Sequence, residues 1–500
     1  MGQISFLVTP PDRITDEVLQ LAYLSGADRA PWPVRVENDG NLLTLERGVA
    51  DSACLTLPWA VPRHGLLGLS TATLIERPEP YHLPLELARG TLHRLRDQVF
   101  EWQMIGLSIP KEAHDKLAES LGLFGWAVIQ QEDPVESSAK AQGAIRLALD
   151  ASQVLAGAYA EQVIAARRRA GGRLPSLLGA ELSGPALDEA SAKMFLAAFN
   201  AAMVAVSWRD IEASEGDFSW SACDEHVAWC RANGLKVCAG PLVQLDPRGL
   251  PDWVYLWEED SDNVMAAAAD FIRAAVERYR GKVDLWLCAS RANTAEVLSL
   301  TEEENLRLAA GALDLVRKLD PATPTIVSVD QPWGEYLGRR TAESPPLVFA
   351  DALVRAGLDV RALMLEMNLG CFRGGTLPPT ELEISRRLDH WSLLGLPLLV
   401  SLSIPSGDGN DPLVERKVRI PAGTWTPETQ QAWTARYVPL MLAKPSVLGV
   451  FWNQLRDSQP HDFPHAGLLG PRRAPKPALR TLAALRAACL SGGKAREAIP

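Results

Sequence analysis

The feature that most constrains the fold is an alternation of short apolar runs with amphipathic segments over the last three hundred or so residues. Eight apolar runs lie at 176–182, 202–208, 236–243, 284–290, 325–330, 362–368, 397–404 and 448–453. Segments of helical period, such as "VMAAAADFIRAAVERYRG", separate them. This pattern predicts an α/β fold, a (β/α)8 TIM barrel over residues 173–490. A doubly wound sheet is disfavoured because no glycine-rich phosphate turn follows the first run.

The region before the barrel has two other patterns. Residues 1–82 contain short alternating strands, and "PVRVENDGNLLTLERG" places an Asn38-Asp39-Gly40 turn between two of them, which is a hairpin signal. We predict a small β-sandwich there. Residues 83–172 change to a helical period, so we predict a helical connector, with residues 491–500 as a tail after the barrel.

Composition and charge exclude several classes of function. The net charge is −11 and no dense Lys/Arg stripe interrupts it, which argues against a nucleic-acid partner. No apolar run is long enough to span a bilayer, so we expect no membrane partner. The N-terminus lacks a basic region followed by an apolar run, which predicts a cytoplasmic location. Neither the scattered cysteines nor "HDFPH" (461–465) has metal-ligand spacing, and we expect no metal and no cofactor.

Several short stretches match one enzyme family in order along the chain. "FNAAMVAVSWRDIEASEGDFSWSACDEHVAWCRANGLKV" carries Phe199-Asn200, Trp208, Glu212, Gly216, Phe218, Asp224 and Asn233-Gly234. "LPDWV" (250–254), "RYRGKVDLW" (278–286) and "PKPAL" (475–479) follow it. Together these stretches resemble glycoside hydrolase family 10, the endo-β-1,4-xylanase-like barrels, over roughly 175–485. The resemblance implies a carbohydrate-active barrel, and it makes the N-terminal sandwich a candidate carbohydrate-binding domain.

The same resemblance puts unexpected residues at the family's catalytic positions. The acid/base glutamate of strand four falls on Arg291, and the nucleophile of strand seven falls on Ser401. The family's glutamine and histidine of strand six fall on Glu366 and Asn368. The tryptophan of strand eight is retained as Trp452. The resemblance therefore implies the family's fold without its pair of catalytic glutamates.

The chemistry of these replacements excludes the family's own mechanism. A retaining glycosidase needs two carboxyl groups about 5–5.5 Å apart, one as proton donor and one as nucleophile. The guanidinium of Arg291 holds its proton far above neutral pH, so it is no general acid. Ser401 without a paired base does not replace a carboxylate nucleophile.

Other carboxylates lie near the predicted carboxyl ends of strands. They are Glu181, Asp246, Asp330, Glu366, Asp457 and Asp462. Strands five and six are neighbours, so Asp330 and Glu366 are the candidate relocated catalytic pair, and Arg291 is placed to hold an anionic group or one of these carboxylates. The alternative is that Arg291 and Glu366 form a structural ion pair. The candidate substrate-binding residues are Glu181, Arg291, Asn368, Ser401 and Trp452.

Three hypotheses for function follow. The first is a glycan-binding or regulatory pseudo-enzyme that binds a polysaccharide or oligosaccharide. The second is an O-glycosyl hydrolase that uses relocated carboxylates, Glu366 and Asp330. The third is a structural assembly subunit that uses the barrel as a scaffold. The sequence leaves the oligomeric state and the identity of the glycan open.

Overall fold

The computed structural model describes residues 2–338, 344–371, 374–416, 418 and 425–490, and the predicted tail 491–500 lies outside them. The chain folds into two compact units. The N-terminal unit comprises Met1–Ala165, Trp333–Glu343 and Thr376–Arg387, and the barrel unit comprises Ala166–Pro332, Ser344–Gly375 and Leu388–Pro500. The predicted sandwich and most of the predicted helical connector thus fall in one unit.

The N-terminal unit contains two four-stranded sheets. Their strands are β1 (Gly2–Leu7), β2 (Tyr23–Ser25), β3 (Pro31–Trp32), β4 (Arg35–Asp39), β5 (Leu42–Arg47), β6 (Cys54–Val61), β7 (Gly65–Ser70) and β8 (Tyr81–His82). The strand orders are β4-β5-β1-β8 and β3-β2-β6-β7. The predicted hairpin is confirmed, because β4 and β5 pair antiparallel across Gly40, whose φ is 66°.

Long helices complete this unit. The helices before the barrel are α1 (Asp16–Leu19), α2 (Leu83–Met104), α3 (Lys111–Ile129) and α4 (Pro134–Gly171). Proline is favoured at the first position of a helix, where the backbone N–H has no partner in the helix, and Pro134 is the first residue of α4. Trp102 of α2 stacks on Tyr159 of α4 with ring centroids 4.1 Å apart, which fastens the two helices together.

The barrel unit is a closed ring of parallel strands. They are β9 (Leu177–Leu182), β10 (Ala201–Val204), β11 (Lys236–Ala239), β12 (Val243–Gln244), β13 (Leu285–Ser290), β14 (Thr325–Asp330), β15 (Val360–Asn368), β16 (Leu398–Ser403) and β17 (Val447–Trp452). The order is β11-β10-β9-β17-β16-β15-β14-β13-β12, and pairing of β11 with β13 closes the ring. β12 continues the third strand after the Gly240-Pro241 break, so the barrel has the predicted eight strand positions.

Helices follow the strands around the ring. They are α5 (Glu189–Ala198), α6 (Trp208–Ile211), α7 (Ser221–Ala232), α8 (Ser261–Tyr279), α9 (Glu302–Leu319), α10 (Pro346–Arg355), α11 (Glu381–Ser392), α12 (Pro427–Ala443) and α13 (Pro477–Cys489). Asp188, Asp260 and Thr426 cap α5, α8 and α12 through their side-chain oxygens, and Thr301 with Glu304 forms a capping box on α9. Within the described residues, no helix is long and apolar enough to cross a membrane.

The barrel interior is apolar in its lower layers and polar towards the carboxyl ends of the strands. The apolar cluster is Leu177, Ala201, Met203, Cys238, Leu285, Leu287, Ile326, Ala362, Met364, Leu399 and Phe451. Because side chains alternate between the faces of a strand, residues two or four positions further along also point inward. Glu181, Ser328, Glu366 and Ser401 follow this rule, and they give the interior its polar upper layer.

Candidate functional site

A cavity of about 100 Å³ lies at the carboxyl ends of the barrel strands, the face where TIM barrels carry their sites. Of the candidate catalytic and substrate-binding residues, four line it, namely Glu181, Arg291, Glu366 and Ser401. They come from β9, the end of β13, β15 and β16, so the structure brings four parts of the chain together here.

Arg291 is the centre of this site. It follows β13 in the left-handed backbone region, with φ at 60°, and only 4% of the residue is exposed. Its Nε donates to Glu366 Oε2 at 3.1 Å, its Nη2 lies 2.7 Å from Asp462 Oδ2, and its Nη1 donates to Asp246 Oδ2. Each of its three nitrogens therefore has a different carboxylate as its partner. The structure contains the Arg291–Glu366 ion pair that the sequence left as an alternative, as part of a larger network.

The network holds Arg291 and Asp462 in their charged forms. Burial by itself lowers the pKa of Arg291, but Asp462, Glu366 and Asp246 hold it well above the ordinary value. Burial raises the pKa of Asp462, and the guanidinium groups of Arg291, Arg248 and Arg416 outweigh that effect and hold it well below the ordinary value. Charged hydrogen bonds in a protein interior have this effect because the low dielectric strengthens the attraction between partners. Arg291 is thus a permanent cation with three anions bound to it.

Glu366 accepts hydrogen bonds on both of its oxygens. Oε1 accepts from the hydroxyl of Ser290 at 2.8 Å and from the hydroxyl of Ser328, and Oε2 accepts from Arg291. These donors belong to the ends of β13 and β14, which precede β15 in the ring. Glu366 is therefore held in position beside the cavity by three hydrogen bonds.

Asp330 does not join Glu366 in the cavity. The two residues are paired in register on β14 and β15, but Asp330 is fully buried and is not among the residues that line the cavity. Arg416 Nη2 donates to its carboxylate at 2.9 Å, and the backbone N–H of Gln331 donates at 2.9 Å. The structure thus corrects the candidate catalytic pair: Asp330 lies beside Glu366 in register but is covered and does not line the cavity.

Asn368 and Trp452 also lie away from the cavity lining. Asn368 is fully buried and accepts a hydrogen bond from Asn453 Nδ2 at 3.4 Å. Trp452 is 1% exposed, and its indole N–H donates to the carbonyl of Ala466 at 2.8 Å. A sugar stacks on an accessible aromatic face, which Trp452 does not present in this structure, so the structure corrects its expected placement in the cleft.

Glu181 differs from the other carboxylates of the site. Burial raises its pKa to about 7, and although Arg248 opposes this effect, nearby Asp462 adds to it. Its side chain has a hydrogen bond with Ser183 and forms no ion pair among the described residues. A carboxyl group with a pKa near 7 is partly protonated at neutral pH, and in its protonated form it is able to donate a hydrogen bond as well as to accept one.

Sequence reasoning missed two residues of the site. Arg248, in the loop after β12, bridges Asp462 at 3.1 Å and Glu415 at 2.8 Å. Gln454, just past β17, lines the cavity with a buried side chain. Both residues lie shortly after predicted strands, and this position could have identified them, because the loops at this end of a barrel carry its sites. Among the described residues, no group of three or more His, Cys, Asp or Glu side chains is arranged to hold a metal ion.

Part of this chain is similar to a glycosyl hydrolase family and to curated xylanases. Residues 176–289 match the family model of Glycosyl hydrolase family 10. Endo-1,4-beta-xylanase A of Fusarium oxysporum f. sp. lycopersici is 32% identical over 82 residues, which are 16% of this chain and 24% of that protein. Endo-1,4-beta-xylanase 1 of Gibberella zeae is 28% identical over 82 residues, 16% of this chain and 23% of that protein. The chain thus spans about a quarter of the length of the curated relatives it matches.

Solved structures cover a larger part of the chain at lower identity. Native xylanase 10B from Thermotoga maritima is 16% identical, with a TM-score of 0.48, over 64% of this chain and 97% of that one. The structure described as GH10 from Paenibacillus barcinonensis is 19% identical, with a TM-score of 0.47, over 62% of this chain and 95% of that one.

Proposed function

We propose that this chain, a protein of the glycosyl hydrolase family 10-like group, binds a saccharide at the carboxyl end of its barrel and does not cleave it by a retaining mechanism. The observation that carries the proposal is the network around Arg291. A residue that binds Asp246, Glu366 and Asp462 at once stands where the resemblance puts a proton donor. A guanidinium in that place stabilises anions and donates no proton near neutral pH.

The size and lining of the cavity support binding of a small part of a glycan. A cavity of about 100 Å³ is below the roughly 300–1,000 Å³ of pockets that enclose drug-sized ligands. We therefore expect it to enclose one sugar unit, with the rest of the glycan outside. Its lining combines hydroxyl, amide, carboxyl and guanidinium groups, which pair with sugar hydroxyls as donors and acceptors.

The test compares binding with hydrolysis in the same preparation. Purified protein is titrated with xylo-oligosaccharides by calorimetry, because the curated relatives are named xylanases, and is then incubated with xylan and with chromogenic xylosides. We expect measurable binding and no release of reducing ends above that of a heat-inactivated sample. Hydrolysis that Arg291→Gln abolishes would contradict the proposal, and so would the absence of binding to every glycan of a broad array.

One observation favours a second candidate function, hydrolysis by relocated carboxylates. Glu366 lines the cavity, and so does Glu181, whose raised pKa of about 7 leaves a proton available for a leaving group. In this scheme Glu181 replaces Asp330 as the second carboxyl group of the pair, because Asp330 is covered. Any glycosidase activity would then fall at least a hundredfold in both Glu366→Gln and Glu181→Gln, since general acid–base groups contribute about 10²–10⁴-fold. Equal activity in these variants and the parent would remove this candidate.

A further inference from the structure

The cavity at the barrel mouth is accessible from one half of the ring and closed on the other. Its lining residues at and after β9, β10, β11 and β17, which are adjacent in the ring, include half-buried and exposed ones, and Asp210 and Pro460 are exposed. The lining residues on β13, β14, β15 and β16 are all buried, and so is Arg291. No described residue of the loops after β14, β15 and β16 lines the cavity. The cavity therefore has one open side and one closed end.

A network of charged side chains lies along the boundary between these two halves. We call it the cross-mouth network, and it consists of Asp246, Arg248, Arg291, Glu415 and Asp462. Asp246 and Arg248 follow β12 and Arg291 follows β13, on the two sides of one boundary. Glu415 follows β16 and Asp462 follows β17, on the two sides of the other boundary. Because the third and seventh strands of an eight-strand ring are opposite each other, contacts between these loops cross the mouth.

Arg291 and Arg248 form an inner and an outer layer of this network. The side chain of Arg291 is 4% exposed and that of Arg248 is 29% exposed. Arg248 Nη1 donates to Asp462 Oδ1 at 3.1 Å, and its Nη2 donates to the carbonyl of Pro460 at 3.3 Å. Its Nε lies 2.8 Å from Glu415 Oε2. One guanidinium group thus joins a loop on one side of the mouth to two loops on the other side, and it does so in the layer nearer to solvent.

The two loops that bind Arg248 are also bonded to each other. The backbone N–H of Glu415 donates to the carbonyl of His461 at 2.9 Å, and the N–H of His461 donates to the carbonyl of Leu413 at 3.0 Å. The ring of His461 lies 2.9 Å from the carboxylate of Asp411. The acceptors of Arg248 therefore belong to one hydrogen-bonded unit, and a ligand that separated these loops would have to break these bonds as well.

We propose that the cavity is a blind pocket for the terminal unit of a glycan chain, with Arg248 as the residue that excludes internal segments. The inference rests on the proposed saccharide-binding function and specifies which part of the glycan is bound. The chain enters over β9 and β10, where the lining is accessible, and the cross-mouth network stops it before the buried lining of β13 to β16.

The single open side decides which part of a glycan fits. An internal segment continues in both directions, so it needs a site that is open on two sides. A terminal unit continues in one direction only, which matches a cavity with one open side. The cavity volume of about 100 Å³ agrees with one enclosed unit, because it is below that of pockets that enclose larger ligands.

The experiment compares intact xylan with the same xylan shortened by mild acid hydrolysis. Calorimetry measures the mass of each sample that saturates a fixed amount of protein. Shortening the chains to about a tenth of their mean length raises the number of chain ends per gram in proportion, and it leaves the number of internal segments nearly unchanged. We expect the saturating mass to fall about tenfold for the parent protein.

Variants of the network test the role of Arg248. Arg248→Ala removes the outer layer, so internal segments should gain access and the saturating mass should depend less on chain length. Glu415→Ala removes one outer partner and should change the result in the same direction by a smaller amount. The control is Arg355→Ala on α10, where an exposed arginine lies 2.7 Å from Asp351 outside the cavity lining, and it should keep the tenfold difference.

The outcomes separate this inference from the proposed function. An equal saturating mass of intact and shortened xylan overturns the inference and leaves saccharide binding intact, and a difference that Arg248→Ala leaves unchanged overturns the role of Arg248. If xylan is not bound, the polysaccharide of the strongest array ligand replaces it, and absence of binding to every glycan overturns the proposed function as well. Thermal unfolding of each variant checks its folding. If Arg248→Ala does not fold, Glu415→Ala provides the test.

Discussion

A single side chain determines what the barrel mouth can do. Arg291 occupies a left-handed backbone conformation, which costs a non-glycine residue of order 1–3 kcal/mol and persists only where surrounding contacts enforce it. Those contacts are its three carboxylate partners. Strain of this kind concentrates at functional sites, and here it places a permanent cation where it holds Glu366 and Asp462 in fixed positions.

Removal of the Arg291 guanidinium should destabilise the protein strongly. Arg291→Met leaves three buried or half-buried carboxylates close together, and removing one partner of a buried ion pair typically costs about 3–5 kcal/mol. We expect a loss of that size in the free energy of unfolding, measured with urea at pH 7. The loss should shrink at pH 4, because Asp462, whose pKa Arg291 lowers in the parent, takes up a proton more readily in the variant. An exposed pair gives the matched control, because Lys193→Met breaks only a surface bridge to Glu189 and should cost less than about 1 kcal/mol.

The contribution of Glu181 to stability should decrease as the pH rises, whereas a carboxylate whose pKa is lowered on folding contributes more stability as the pH rises. Its pKa is raised to about 7 in the folded protein, from 4.5 in the unfolded chain. Between these values the native state binds more protons than the unfolded state, so the contribution of Glu181 to stability falls as pH rises from about 4.5 to 7. Glu181→Gln, which cannot ionise, should therefore gain stability relative to the parent across this range in urea titrations. A difference between the two proteins that does not change with pH would contradict the expectation.

At the scale of secondary structure, the strands were predictable and their irregularities were not. Apolar runs located all eight strand positions because parallel barrel strands are buried on both faces. The register shift between Leu287 and Ala289 on β13 and the break at Gly240-Pro241 were not predicted. Such irregularities arise from contacts between strands rather than from local propensity. They matter for the site, because the shift on β13 turns Ser290 towards Glu366.

Packing between β9 and β17 should depend on the absence of a side chain at Gly179. A Cβ at this position would lie 2.6 Å from the ring of Phe451 and 3.0 Å from the carbonyl oxygen of Ala201. We expect Gly179→Ala to cost about 1–3 kcal/mol, the range for overpacking of a core, in the urea unfolding free energy. Phe451→Leu combined with Gly179→Ala should recover part of that loss. The control is Gly311→Ala in the middle of α9, where nothing lies within 4 Å, and it should stabilise by about 0.5–1 kcal/mol.

At the scale of the whole molecule, the sequence located the barrel and several residues of its site, whereas the pairing of these residues came only from the structure. Arg291, Glu366 and Ser401 were identified through the resemblance to glycoside hydrolase family 10, and Glu366 also because it lies near the predicted carboxyl end of a strand, the end at which a barrel carries its site. The partners of Arg291 include Asp246 and Asp462, which lie far from it in the chain. No local pattern encodes such a contact. For the same reason the burial of Asp330 and Trp452 was not foreseen, because it depends on which loops cover the strand ends.

The division of the chain into two units makes the location of glycan binding a testable property. If the barrel binds the glycan, saturating ligand should slow amide hydrogen exchange at the carboxyl ends of β9, β13 and β15 and in the loop after β17. Ligand at a hundred times its Kd stabilises the state that binds it by about 2.7 kcal/mol, and exchange in the segments that it protects slows accordingly. The two sheets within Met1–Ala165 should exchange at unchanged rates. Protection of β1–β8 with no change in the barrel would assign binding to the N-terminal sheets, which the sequence analysis named as a candidate carbohydrate-binding domain. The network around Arg291 would then have a purely structural role.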